Sequence, residues 1–308
     1  MPKSILFILI FFFEIYSSAE AAASSPDTTK IIMDSIKISL HPLVLENKNE
    51  LNIEWYQMVA DIPVDEYSFF RNSLQISQIP TYAGLTLITG SLMKVDQSGW
   101  KVDGRLYEKS YSYRTASNLF VDMGNGGFHF LLSGLFASYG LIFTDPAALK
   151  TASDIGEAVL STGLMVQVLK RVTGRESPAY ASNSRWKWQF FPSIKEYQKD
   201  QSKYYSFPSG HLASGAATLT VIANNYPGIS WLKPVGYSIL GMLGIGLVSK
   251  GMHWYSDLPF GYFIGYSMGN IVSPELKSPV ENLLNLSQMS FGPEISAKRI
   301  GFQAGYSF

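Results

Sequence analysis

From residue 80 onward the chain is a succession of apolar segments with helical spacing, and that run confines the fold to packed helices. Residues 81–93 form one such segment. Residues 115–143 form another, interrupted at Gly124-Asn125-Gly126-Gly127, which reads as a tight turn between two helices; an anion-binding nest is the alternative. Asp145-Pro146 is a helix start, an N-cap residue followed by proline at the first helical position. The helix it opens runs through Ile155, Val159, Leu160, Leu164, Val168 and Leu169, and Gly174 stops it. Three further apolar helices are predicted over residues 211–224, 231–250 and 257–272. Ala213, Ala217, Gly241, Gly244 and Gly246 are small enough to let these helices approach closely. A shorter helix begins near Pro63.

The flanks have a different character. Lys3, the apolar run at residues 5–13 and Ala19-Glu20-Ala21 have the layout of a cleaved secretory signal over residues 1–21. Residues 22–79 read as a leader and extension, with partial alternation at Ile36, Ile38 and Leu40 that suggests a short strand. The bundle is expected over residues 80–274 and a separate tail over 275–308. In that tail Ile300, Phe302, Ala304, Tyr306 and Phe308 alternate, and with residues 288–295 they predict a β-hairpin. The expected fold is therefore all-α, with a short hairpin-like C-terminal tail.

Composition narrows the partners. Lys+Arg and Asp+Glu number 24 each, so the formal net charge is zero and bulk attraction to nucleic acid is not indicated. There is no cysteine, which excludes disulfides, thiolate nucleophiles and cysteine zinc sites. The signal places the mature protein outside the cytoplasm, in a bacterial periplasm or envelope. Residues 234–249 carry no charge but fall slightly short of the ~20 residues that a membrane span needs. Mean hydropathy is only +0.08, so a bundle resting on or partly in a membrane fits at least as well as a spanning one. The connection over residues 177–207, with Arg185, Trp186, Lys187, Trp188, Lys195 and Lys203, suits a lipid interface; a solvated loop is its default reading.

Three short words carry the chemistry. Phe207-Pro208-Ser209-Gly210-His211 opens a helix. A helix N-terminus offers free amides to an anion, and a histidine beside it exchanges protons near neutral pH. His253-Trp254-Tyr255-Ser256-Asp257 places a carboxylate four residues after an imidazole, where it can fix the tautomer and leave the other nitrogen free to attack; a simple helix cap is the bland alternative. Lys170-Arg171-Val172-Thr173-Gly174-Arg175 ends a helix with clustered cations, read either as partners of the helix dipole or as a phosphoryl cradle. His41 and His129 have no such setting and read as structural.

In this order the three words resemble the motifs of the type-2 phosphatidic acid phosphatase superfamily, which also holds bacterial acid phosphatases and vanadium haloperoxidases. The family pattern is K-x6-R-P, P-S-G-H and S-R-x5-H-x3-D. Lys170 and Pro178 match the ends of the first word, Pro208 to His211 the whole second, and His253 and Asp257 the end of the third. The resemblance spans roughly residues 80–274 and implies the family's helical bundle. It also implies phosphomonoester hydrolysis through a phosphohistidine, with no metal or other cofactor. In that scheme His253 attacks phosphorus, Asp257 orients it and His211 protonates the leaving oxygen. The implied substrates are lipid phosphates or small phosphomonoesters, with membrane association.

Two positions depart from the pattern. Ser177 stands where the first word has arginine, and Gly246-Leu247 stands where the third has Ser-Arg. Arg175 lies two residues from Ser177, and Lys250 one helical turn from Leu247. Both are expected to take over phosphate binding, beside Lys170 and the amides of Ser209 and Gly210. The alternatives are a degenerate relative that binds an anion or serves an assembly role, and vanadate-dependent haloperoxidase chemistry.

Overall fold

The computed structural model describes residues 57–181, 187–274, 289–296 and 299–306. The signal at 1–21, the strand expected near Ile36, and His41, Arg185 and Trp186 lie outside these residues. The chain divides into two units, Met1–Pro274 and Glu275–Phe308.

The regular structure among the first unit's described residues is helical, apart from isolated bridges at Arg175. A one-turn helix α1 (Gln57–Ala60) precedes α2 (Ile62–Ser73) and a long α3 (Ile79–Lys109). They are followed by α4 (Tyr111–Met123), α5 (Gly126–Phe143) and α6 (Pro146–Thr173). A connection with one short helix, α7 (Ile194–Lys199), leads to α8 (Gly210–Asn225), α9 (Leu232–Ser249) and α10 (Leu258–Val272). The glycine run is a turn, in which Asn125 caps α5 by accepting from the Gly127 amide at 2.9 Å. Asp145 caps α6 through the amides of Ala147 and Ala148, and Gly174 ends it at φ +52°. A Cβ at Gly174 would lie 2.0 Å from the Gln189 carbonyl oxygen, so the turn that sends Arg175 inward requires glycine.

Helix α3 extends well past the expected end at residue 93. The apolar pattern fades there because its later turns carry Lys94, Asp96 and Asp103, yet Asp96 is wholly buried. A buried charge with its partners elsewhere in the chain reads locally as solvent-facing.

At the centre is α8, buried on nearly every side. It meets α5 and α6 through Ala217 and Val221, which pack with Phe136, Ile155 and Val159. Toward α2, α6 and α10 it offers Ala213 to Phe69, Met165 and Ile264. Toward α4 and α9 it offers Leu212 and Ala216 to Val121, Leu243 and Leu247. The tightest contact is with α10. A Cβ at Gly261, Gly265 or Gly269 would fall 2.5 Å from the Ser209 oxygen, 2.0 Å from the Ala213 oxygen or 2.7 Å from the Thr220 Cβ, respectively. Of the expected small residues, Ala213 and Ala217 are in this seam, and a Cβ at Gly246 would fall 2.8 Å from the Ser117 carbonyl oxygen. Gly241, by contrast, faces open space, so its expected part in close packing is not observed.

The second unit contains an antiparallel hairpin of β1 (Met289–Ser296) and β2 (Arg299–Tyr306), in register from Met289 opposite Tyr306 to Ser296 opposite Arg299.

Gly265→Leu is expected to destabilise the bundle by about 1–3 kcal/mol or more, since the side chain must displace the α8 backbone. Gly241→Ala should be neutral or raise the melting temperature, by up to about 1 kcal/mol of helix propensity. Thermal unfolding in detergent distinguishes them, and equal melting points would refute the packing argument.

Candidate active site

The seam between α8 and α10 brings the second and third words together. The Ser209 amide donates to the Asp257 carbonyl at 3.2 Å, tying the start of α8 to the turn Tyr255–Asp257 that leads into α10. His211 projects from the first turn of α8, and its ring lies 6.5 Å, centroid to centroid, from that of His253. Gly124 gives His211 room, because a Cβ there would come within 3.0 Å of the His211 Cβ.

His253 is fully buried. Its Nδ1 lies 2.6 Å from the Ser206 carbonyl oxygen. A carbonyl only accepts, so Nδ1 carries the proton and Nε2 presents its lone pair. Among the described residues Nε2 has no partner. Asp257 Oδ2 stands 3.8 Å from Nδ1, beyond hydrogen-bond reach, and instead accepts from the Ser206 hydroxyl (2.5 Å) and the Trp254 amide (2.7 Å). Thus Asp257 acts on His253 by field, and the Ser206 carbonyl sets the tautomer. Burial alone would push the Asp257 carboxyl up; Arg175, His253 and Ser206 overcome this and hold it below its ordinary value. Burial, reinforced by Lys170, depresses the His253 imidazole despite Asp257, so the ring stays neutral and nucleophilic near pH 7.

Lys170 ends α6 inside the site. Its Nζ sits 3.2 Å from the centroid of the Tyr205 ring, and a Cβ at Gly210 would be 3.7 Å from it. Burial brings its pKa down to about 7, against the pull of Asp257. His211 falls to about 4 through burial and the charges of His253, Lys170, His129 and Lys250. Lys250 is half-buried just beyond the last turn of α9, where its amide donates to the Gly246 carbonyl.

Two expected phosphate contacts take other roles. The Ser209 amide is occupied by Asp257, and its hydroxyl and carbonyl cap the amides of Leu212 and Ala213. Among the described residues, the amides of Gly210 and His211 are the donors of this helix start left to an anion. Arg175 is wholly buried against Trp188 and Trp254. Its Nη1 donates to Asp257 Oδ1 and to the Ser256 hydroxyl, and its Nη2 to Asp96 Oδ2 at 2.9 Å. Ser177 donates its hydroxyl to the Ser202 carbonyl, and Leu247 is core. His129, read as structural, pairs with Thr218 across α5 and α8 at 3.1 Å. Sequence reasoning missed Ser206 and Asp96. A backbone carbonyl has no sequence signature, and Asp96 lies far upstream of all three words.

Residues 151–275 match the family model described as the PAP2 superfamily. The resemblance read from the three motifs is thus borne out over that segment. Over 80 residues the chain is 30% identical to the lipid A 1-phosphatase of Porphyromonas gingivalis, a match covering 26% of this chain and 18% of that protein. It therefore spans less than a fifth of that relative's length. Similar solved structures include a transmembrane PAP2 type phosphatidylglycerolphosphate phosphatase from Bacillus subtilis, with TM-score 0.42 and 15% identity, covering 70% of this chain and 94% of the other. Aquifex aeolicus LpxE has TM-score 0.43 and 17% identity, covering 58% of this chain and 94% of the other.

The buried amine of Lys170 predicts that an anion held at this site would bind pH-dependently. Lys170 is charged below about 7 and neutral above it, so affinity should fall as the pH rises through that value. Sulfate, whose charge is constant over this range, is the suitable probe in calorimetry. Lys170→Met should weaken binding about tenfold or more at pH 6 and remove the pH step. An unchanged step in the variant would assign it to another group.

Proposed function

We propose that the chain is an envelope phosphatase acting on a phosphorylated lipid through a phosphohistidine. The observation that carries this reading is the Nε2 of His253, without a hydrogen-bond partner among the described residues and with its lone pair set by the Ser206 carbonyl, with His211 6.5 Å away between ring centroids. In the first step Nε2 forms a bond to phosphorus while the ester P–O bond breaks, and His211 gives its proton to the leaving oxygen. His211 then takes a proton from water as the oxygen attacks phosphorus. The N–P bond breaks, and orthophosphate leaves. Lys170, Lys250 and the amides of Gly210 and His211 bear the charge of the transferring group. A bound phosphoryl dianion would also raise the His211 pKa above about 4, so substrate itself helps to arm the acid.

A lipid substrate is favoured by where the two apolar helices end. Gly126–Phe143 and Leu232–Ser249 are each long and apolar enough to cross a membrane. At about 1.5 Å per residue such a helix is about 27 Å long, close to the ~30 Å hydrocarbon core. Both expose apolar side chains, Phe130, Leu131 and Ile142 on α5 and Val235, Met242 and Ile245 on α9. Helix α5 starts shortly after Gly124, where an added Cβ would meet His211, and α9 ends at Ser249, shortly before His253. Helices crossing a bilayer in this way would hold the histidines at one surface, the level of a lipid phosphate. Exposed Phe190, Phe191 and Ile194, with Lys195 and Lys199 nearby, suit the same interface.

The test compares a short-chain phosphatidic acid with a nitrophenyl phosphate in detergent, with and without a chelator. Hydrolysis of both is expected and should survive chelation. His253→Asn should abolish it. His211→Asn should slow the lipid substrate by about 10²–10⁴-fold but the nitrophenyl ester much less, because nitrophenolate leaves without a proton. Sulfate binding by a folded protein that hydrolyses neither ester would identify an anion-binding relative instead.

A further inference from the structure

We infer that Asp96, on α3 and outside the matched PAP2 segment, is a positioning residue that acts through Arg175 and Ser256 to set the orientation and charge of Asp257 behind His253. The inference rests on the phosphatase reading for its kinetic part only.

The arrangement is a clamp with every member buried. Asp96 Oδ2 accepts from Arg175 Nη2 at 2.9 Å and from the Ser256 hydroxyl at 2.5 Å, while Oδ1 accepts from the Ser256 amide at 3.0 Å. Three donors on one carboxylate select its ionised form, although burial pushes this carboxyl above its ordinary value. Ser256 in turn accepts from Arg175 Nη1 at 2.8 Å, and Nη1 also reaches Asp257 Oδ1. Arg175, Asp96 and Asp257 side chains have no solvent exposure. One guanidinium thus serves two carboxylates in a space where water cannot replace either.

This geometry divides the work of Arg175. With Asp257 as its sole partner, the arginine would neutralise the carboxylate that faces the imidazole. Asp96 takes part of that charge and fixes the plane of the guanidinium, so Asp257 keeps a net negative field toward His253 Nδ1 at 3.8 Å. Among the described residues, the other charged or titratable groups acting on His253 are Lys170 from α6 and His211 from α8, and Lys250 beyond α9 acts on His211. They are cationic or neutral. The field that supports a developing imidazolium therefore comes from Asp96 and Asp257 together. Asp96 also fixes the Ser256 amide, which belongs to the turn that carries Asp257 into α10.

Asp96→Asn keeps the shape and removes the charge. With histidine ¹⁵N-labelled, the His253 ring should titrate at lower pH in this variant, by about half a unit or more, because a negative charge has been lost and Arg175 turns wholly to Asp257. The acid limb of the rate profile should move the same way, with kcat down about tenfold and KM changed less than about twofold. Asp96→Glu retains the charge and should restore much of the titration. Ser256→Ala loosens the clamp without changing charge, so it should lower kcat and leave the His253 titration nearly in place; it serves if Asp96→Asn does not fold. Folded Asp96→Asn with an unshifted His253 titration and unchanged kcat would overturn the inference. Absence of turnover in the unaltered chain would count against the phosphatase reading alone, since the ring titration reports on Asp96 without it.

Discussion

Everything at this site depends on α8 and α10 touching backbone to backbone. Gly261, Gly265 and Gly269 lie against the Ser209 oxygen, the Ala213 oxygen and Thr220, where any side chain would intrude. The contact puts the first turn of α8 beside the turn that ends in Asp257, and so sets His211 opposite His253. Dispersion between close backbones is individually weak, but over three helical turns it fixes register as well as distance. The pairing of the two histidines is a by-product of helix packing.

A second constraint is electrostatic. A fully buried carboxylate next to a depressed imidazole needs a cation, and Arg175 supplies it from the motif that sequence reasoning assigned to phosphate binding. Its guanidinium is enclosed by Trp188 and Trp254, which the aromatic-rich connection and the third motif contribute. That leaves Lys170, Lys250 and two helix amides around the histidines, a cradle of point charges and dipoles rather than of planar forks. On the proposed reading, such a cradle would place fewer geometric demands on a phosphoryl group and rely more on the protonation state of Lys170.

Much of this was legible in the residues themselves. Proline and glycine punctuation marked the start and stop of α6 to within a residue, because Asp145, Pro146 and Gly174 act locally. The Pro-Ser-Gly-His word pointed to a helix start with free amides, and one exists, displaced by one residue because Asp257 occupies the Ser209 amide. Long-range partners were not legible. Asp96 looked solvated in a fading apolar pattern, since its burial depends on Arg175 and Ser256 far along the chain. The glycines of α10 were passed over for those of α9, because spacing alone does not say which face meets a neighbour's backbone.

The bond between His253 Nδ1 and the Ser206 carbonyl has a consequence for how this site can change over time. A tautomer held by a side chain is lost with one substitution, whereas a carbonyl oxygen is present whatever residue occupies position 206. Replacement of Ser206 removes a hydroxyl from Asp257 and leaves the imidazole's own anchor intact. The orientation of the His253 imidazole is thus inherited through the path of the main chain, and sequence drift in the connecting loop can proceed without erasing it.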